Sequence, residues 1–207
     1  MLGCANNHAW LIFDDGERWL ARIPRTGFSD VPPDLVEYLV ASEYATLKFL
    51  ETTRVPSPKT FGFGLASDPS NRVGVSYLLI EALPGRPYDS YQAKPEQARH
   101  VLEQVADIMV ELSKHPFQKA GSLLLVDNKI EVSDIASNRF VHLGRTGPFA
   151  TPADYFTHTA AQYLELIADG QLHHLHPLEA YLFYTLLQSR SRHVQRRRFG
   201  LFSEACR

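Results

Sequence analysis

Cysteine is scarce in this sequence. The two present, Cys4 and Cys206, stand at opposite ends of 207 residues. That spacing excludes a disulfide framework and a cysteine-built zinc site, and the expected setting is a reducing, cytoplasmic one. No apolar run approaches the roughly 20 residues a membrane span needs. Residues 1–10 lack the apolar core and basic flank of a secretory signal, so neither a span nor an export signal is expected. Neither sign of charge dominates: the formal net charge is −2, with 21% charged residues. That balance argues against a dedicated nucleic-acid or membrane-surface binder. Internal repeats and low-complexity segments are lacking too. What is left is an ordinary globular composition, 44% hydrophobic. The length allows one domain or two small lobes sharing a cleft.

The chain changes character at Tyr77-Leu78-Leu79-Ile80-Glu81-Ala82-Leu83-Pro84-Gly85. A short apolar run ends in Pro-Gly, which stops a strand and permits a turn. Before it the pattern is of strands and one helix; after it, mostly of helices. A junction of that kind is a common place for a ligand cleft, although a buried strand followed by a turn would leave the same trace.

Two short aromatic and branched runs, Ala9-Trp10-Leu11-Ile12-Phe13 and Trp19-Leu20-Ala21-Arg22-Ile23, flank Asp14-Asp15-Gly16-Glu17. The Asp-Gly pair supplies the positive φ of a tight hairpin turn. Period-two alternation places Leu20 and Arg22 on one face and Trp19, Ala21 and Ile23 on the other. Pro24 ends the second strand. Upstream, Gly3 and Asn6-Asn7 stand where a turn would lead into the first strand and bring backbone N–H groups toward phosphate. Asp34 is the expected N-cap of a helix running to about Glu51, with Leu35, Leu39, Leu47 and Leu50 on its apolar stripe. Glu43 falls on the same stripe, where a carboxylate is costly unless a cation meets it. Two outcomes are open: Arg22 meets it, or it lies at the edge of the stripe and reaches water. Strands at 59–64 and 77–80 complete a β-β-α-β-β order, a helix packed on an antiparallel sheet.

These segments carry a family resemblance. The ordered set comprises Asp15-Gly16…Trp19-Leu20-Ala21-Arg22-Ile23-Pro24-Arg25, Glu43…Leu47…Leu50, Val55-Pro56-Ser57-Pro58, the run from Tyr77 to Gly85, and Phe117…Gly121-Ser122-Leu123. It resembles the aminoglycoside phosphotransferase and choline kinase-like family, most closely its large fungal branch, over most of residues 1–188. The resemblance implies an α+β, protein-kinase-like fold, with an N-terminal lobe in residues 1–83 and a mostly helical, incomplete C-terminal lobe in residues 84–188. It also implies nucleotide-binding roles. Arg22 stands where the phosphate-binding lysine of such a strand usually stands, paired with Glu43. Leu20 would pack on adenine, Ile80 would guard the back of the pocket, and Glu81 to Leu83 would offer backbone groups to the adenine edge. Arginine in place of lysine is a departure: it binds phosphate and pairs bidentately with carboxylate, but it is bulkier.

In the second half, Pro95 opens a helix to about Ser113, with Ala98, Val101, Leu102, Val105, Ile108, Met109 and Leu112 expected to be buried. Asp127-Asn128 reads as the turn of a small hairpin. A helix over 153–169 points Phe156, Ala160, Leu164 and Ile167 inward and stops at Gly170. His100 and His115 are expected at the surface. His173, His174 and His176 cluster in a linker, and a zinc site would need further ligands at defined spacing. The segment 177–188 is apolar nearly all round, either buried or left exposed for want of a partner. Beyond it comes a basic tail, residues 189–207, outside the resemblance.

One feature of the family is missing. Its transfer chemistry needs an Asp in a catalytic loop, an Asn five residues later, and a further Asp for Mg²⁺. Asp134…Asn138, Asp68…Asn71 and His142-Leu143-Gly144 all fail on spacing or composition. The catalytic loop would follow a helix like 177–188, so the chain is expected to be truncated before it. No catalytic residue and no metal ligand is therefore assigned, and Mg²⁺ is not expected to be held by this chain alone. The expected function is a kinase-like phosphotransferase homologue, binding ATP in its cleft and inactive by itself. The alternative is a non-catalytic, pseudokinase-type interaction module that self-associates or takes a protein partner through an exposed apolar face.

Overall fold

The computed structural model describes residues 6–25, 31–136 and 144–191. The chain divides into two compact units, Met1–Pro116 with Leu124–Ile130, and Phe117–Leu123 with Glu131–Arg207. Its fold class is α+β, with an antiparallel N-terminal sheet followed by a largely helical part.

The first unit is organised on a four-stranded sheet. Strands β1 (Asn6–Ile12) and β2 (Arg18–Pro24) form the expected hairpin, in unbroken register from Asn6 opposite Pro24 to Ile12 opposite Arg18. Gly16 turns the chain at φ 88°, and the Asp15 carboxylate accepts the Glu17 N–H at 3.0 Å. Asn6 and Asn7 lie inside β1, not in a turn before it, because they pair with Pro24 and Ile23. The glycine expected in that turn, Gly3, is outside the described residues. Strands β3 (Thr60–Gly64) and β4 (Tyr77–Glu81) complete the order β1-β2-β4-β3.

Helix α1 (Pro33–Leu50) covers one face of this sheet. Its N-cap is Pro32, with Pro33 at the first helical position, so Asp34 sits in the first turn and is not the cap. There its charge still favours the N-terminal end of the helix dipole. The residues it buries are Leu35, Tyr38, Val40 and Ala45. Leu39, Leu47 and Leu50 are half-buried, since a sheet accepts a wider stripe than the leucines alone define. Tyr44 packs against Phe63 with ring centres 4.6 Å apart. Leu78, at 1% exposure, is the centre of the core. On the other face Trp19 stacks on Phe61 at 3.9 Å, with Phe13 edge-on at 4.8 Å.

Helix α2 (Pro95–Ser113) has the expected bounds and Pro95 at its first turn. Its apolar face is not buried. Among its residues Leu102, Val105, Met109 and Leu112 are exposed, and none is in the core. Periodicity identifies which face of a helix is apolar; it does not supply the neighbour that covers it.

Strands β5 (Ser122–Val126) and β6 (Lys129–Ser133) make a hairpin whose turn residues, Asp127 and Asn128, both have positive φ (49° and 60°). That is the geometry of a type I′ turn. In the second unit, Ala120 pairs with Phe149 and Ile135 with Thr146. Helices α3 (Pro152–Ala168) and α4 (Pro177–Ser191) pack on each other there, with Tyr163 stacked on Tyr184 at 4.5 Å. Thr151 caps α3 by accepting the Asp154 N–H, and Gly170, at φ 70°, follows the last turn as expected. Ala160 and Ile167 are buried and Leu164 is half-buried, but Phe156 is exposed. Of the two outcomes open for α4, exposure is the one found: Leu178, Leu182, Phe183 and Leu186 face outward. Of the basic tail, residues 192–207 lie outside the described residues.

Candidate functional site

The candidate site is one face of the β1-β2-β4-β3 sheet together with α1, all within the first unit. Side chains directly opposite one another across an antiparallel pair share a face. Trp10 is opposite Leu20, Leu20 opposite Ile80, and Ile80 opposite Thr60, so these four form one row across the sheet. The adjacent row on the same face is His8, Arg22, Leu78 and Phe63. Arg22 therefore stands one step along β2 from Leu20, and the sheet brings Leu20, Arg22 and Ile80 to a single surface.

Glu43 joins them from α1. Its Oε1 accepts a hydrogen bond from Arg22 Nη1, and each side chain keeps 33% of its surface exposed. Of the two outcomes left open by the sequence, the pairing is realised, and the carboxylate also retains some access to water. A guanidinium has five N–H donors in a fixed fork, so one bond to Glu43 fixes its direction and leaves donors for an anion.

Glu81 and Leu83 stand at the end of β4. The Glu81 N–H donates to the Lys59 carbonyl at 2.9 Å, and its carboxylate accepts the Lys59 N–H at 3.1 Å. The Ala82 N–H donates to the Arg18 carbonyl at 3.4 Å, just beyond the β2–β4 pairing. Leu83, 56% exposed, follows directly after it.

Two carboxylates hold the segments that follow α1. Glu51, at the end of α1, accepts from the Thr60 N–H and the Thr60 hydroxyl, both at 2.7 Å, and from Lys48 at 3.0 Å. Partial burial would raise its pKa, but the Thr60 and Lys48 donors together lower it below the usual carboxylate value. Glu111 on α2 accepts from Lys114 at 2.7 Å and from the Arg54 N–H at 3.3 Å. The Lys114 bond, aided by Arg54 and His115, lowers its pKa to about 2. These contacts fasten the connection after α1 to α2.

Sequence reasoning missed two site-facing residues, Trp10 and Arg18. Both belong to the face of Arg22 by register, with the Arg18 guanidinium 6.0 Å from the Trp10 ring centre. The alternation in β1 carries this signal, but only once the pairing register to β2 is known. Elsewhere in the unit, a cavity of about 270 Å³ lies between Pro24, Val36, Glu37, Ala66 and Val75, and one of about 450 Å³ between Arg54, Pro56, Asp107 and Glu111. Among the described residues no three His, Cys, Asp or Glu side chains converge on a metal position. His173 lies 6.0 Å from the Tyr184 ring instead.

A model described as the phosphotransferase enzyme family matches residues 3–197. The chain belongs to this phosphotransferase family. No curated protein and no solved structure matches it. The family match spans both units, and the α+β architecture is consistent with a kinase-like fold. Among the described residues no helix is long and apolar enough to cross a membrane.

Proposed function

We propose that this chain binds a nucleoside triphosphate, ATP by family membership, on the sheet face that carries Arg22. Arg22 engages the phosphates and Glu43 holds the guanidinium in place. Leu20 and Ile80 meet the base, and the backbone of Glu81 to Leu83 lies along its edge. The lobe in residues 1–83 is thus the nucleotide-holding part. The observation that carries this reading is the Arg22–Glu43 bond, formed between β2 and α1 on the same surface as Leu20 and Ile80. A one-third-exposed cation aimed by a carboxylate is suited to binding an anion.

The reading stops short of phosphoryl transfer by this chain alone. The 207 residues contain no Asp followed by Asn at the spacing that transfer and Mg²⁺ binding require. We assign a small-molecule hydroxyl as the class of acceptor, a reading that family membership supports without specifying it, and the cytoplasm, where ATP is available, as the compartment.

A second reading, a non-catalytic interaction module, is favoured by one observation: α4 exposes Leu178, Leu182, Phe183 and Leu186 together. An apolar helix surface of that kind takes a partner or a second copy. Sedimentation across a concentration series checks it, because a monomer at all concentrations would rule out self-association.

A thermal-shift titration with ATP and Mg²⁺ tests the first reading. Ligand at about ten times Kd adds roughly 1.4 kcal/mol, which moves the midpoint of a chain this size by about 3 °C or more. The shift is expected for the wild type and absent for Arg22→Ala. An unchanged midpoint for the wild type at millimolar ATP would overturn the reading.

A further inference from the structure

The sequence has two tryptophans, and the sheet register puts them on opposite faces. Trp19 packs between Phe13 and Phe61 on the face away from α1. Trp10 belongs to the face of Arg22. It heads the row Trp10, Leu20, Ile80, Thr60, and it is the member of that row left open, at 55% exposure, while Ile80 and Thr60 are in the core. Arg22 lies one row away on the neighbouring strand, about 7 Å along the sheet. The end of β4, with Glu81 and Leu83, lies on the opposite side of the tryptophan row from Arg22.

An isolated exposed aromatic residue is ordinary on a protein surface. Trp10 is distinguished by its place. An anion held by Arg22 and a planar group reaching toward Leu83 would pass over Leu20 beside the indole. The Arg18 guanidinium, 6.0 Å from the ring centre, stands on the side away from Arg22 and limits how far the indole can swing. Stacking on an indole needs a flat π-surface and grows with its size, which favours a two-ring base over a one-ring base.

We propose that Trp10 is the stacking platform for the base of the bound nucleotide, and that it makes this chain select purine over pyrimidine nucleoside triphosphates. The proposal rests on the nucleotide-binding reading above and adds to it the residue that sets base class. Removing an aromatic platform weakens nucleotide binding by about 5- to 150-fold per stacked base.

The test compares the wild type, Trp10→Ala, Trp10→Phe, Arg22→Ala and Trp19→Phe with three probes: ATP, CTP and inorganic tripolyphosphate. Because Trp10 is exposed, its substitution is expected to leave the melting midpoint nearly unchanged. Calorimetry should show ATP bound at least about fivefold more tightly than CTP by the wild type. Trp10→Ala should lose at least that factor for ATP, level the ATP-to-CTP ratio, and bind tripolyphosphate as before; Trp10→Phe should keep most of the preference. In Trp19→Phe, where Trp10 is the sole tryptophan, ATP should quench emission saturably and tripolyphosphate should not. If Trp19→Phe does not fold, the calorimetric ratios for Trp10→Ala decide alone. ATP binding that Arg22→Ala abolishes but Trp10→Ala leaves intact would overturn the proposal and spare the nucleotide reading. Failure of the wild type to bind either ATP or tripolyphosphate would overturn both.

Discussion

Arg22 on β2 and Glu43 on α1 are joined by a hydrogen-bonded ion pair that links the sheet's site face to the helix covering it. Both groups are one-third exposed, and pairs with that much access to water contribute little to stability, about 0–1 kcal/mol. Their worth therefore lies in aiming the guanidinium. Glu43→Ala should change the urea midpoint only slightly while weakening ATP binding by roughly tenfold, the size of one charge-assisted hydrogen bond. A large stability loss with unchanged affinity would reverse those roles.

Glu51 is expected to behave in the opposite way. Its carboxylate satisfies both the N–H and the hydroxyl of Thr60, the first residue of β3. Removing it leaves donors at a buried residue without their acceptor, which costs about 1–3 kcal/mol. Equilibrium urea unfolding of Glu51→Ala should show that loss, and nucleotide affinity measured on the folded fraction should be close to that of the wild type.

Acid should loosen the same framework. Glu51 and Glu111 both titrate below their ordinary value in the folded protein, Glu111 at about 2. A carboxylate whose pKa is lowered by folding stabilises the folded state fully above its unfolded pKa, and that stabilisation is lost as pH falls through the folded one. Stability should accordingly be level near neutrality and decline from the mid-fours downward, with the Glu111 share spread down to about pH 2. Glu111→Gln should flatten this decline in a series of urea midpoints from pH 7 to pH 3.

In the second unit the sharpest constraint is steric. A Cβ at Gly121 would lie 2.0 Å from the Ser133 carbonyl oxygen and 2.7 Å from a Val132 methyl. The backbone must move to admit it, so Gly121→Ala should cost about 2 kcal/mol or more. Limited proteolysis would detect the change as faster cleavage near the β5–β6 hairpin.

Much of the sheet and its helix was readable from the residues, because local rules and packing agree there. Asp15-Gly16 demands a tight turn, the flanking strands alternate, and Glu43 on an apolar stripe needs a cation that β2 provides. The failures have a common cause. Asp34 satisfies the usual N-cap preference, yet Pro32 and Pro33 set the helix start first by fixing φ. Leu102 and Met109 have the period of a buried face, but burial depends on a neighbouring surface that one helix's sequence does not describe. Asn6 and Asn7 favour turns by type, and the sheet register overrides that preference. Trp10 escaped notice as a site residue for a related reason: its face is defined by the strand beside it.

The central claim is that the β2–α1 pair forms an anion-binding nucleotide site. Isothermal titration of ATP into the wild type and Arg22→Ala, at matched and verified fold, tests it most directly. The account predicts saturable one-to-one binding by the wild type and a loss of at least tenfold in affinity in the variant. Equal affinities in the two proteins, or no heat of binding in the wild type at millimolar ATP, would contradict it.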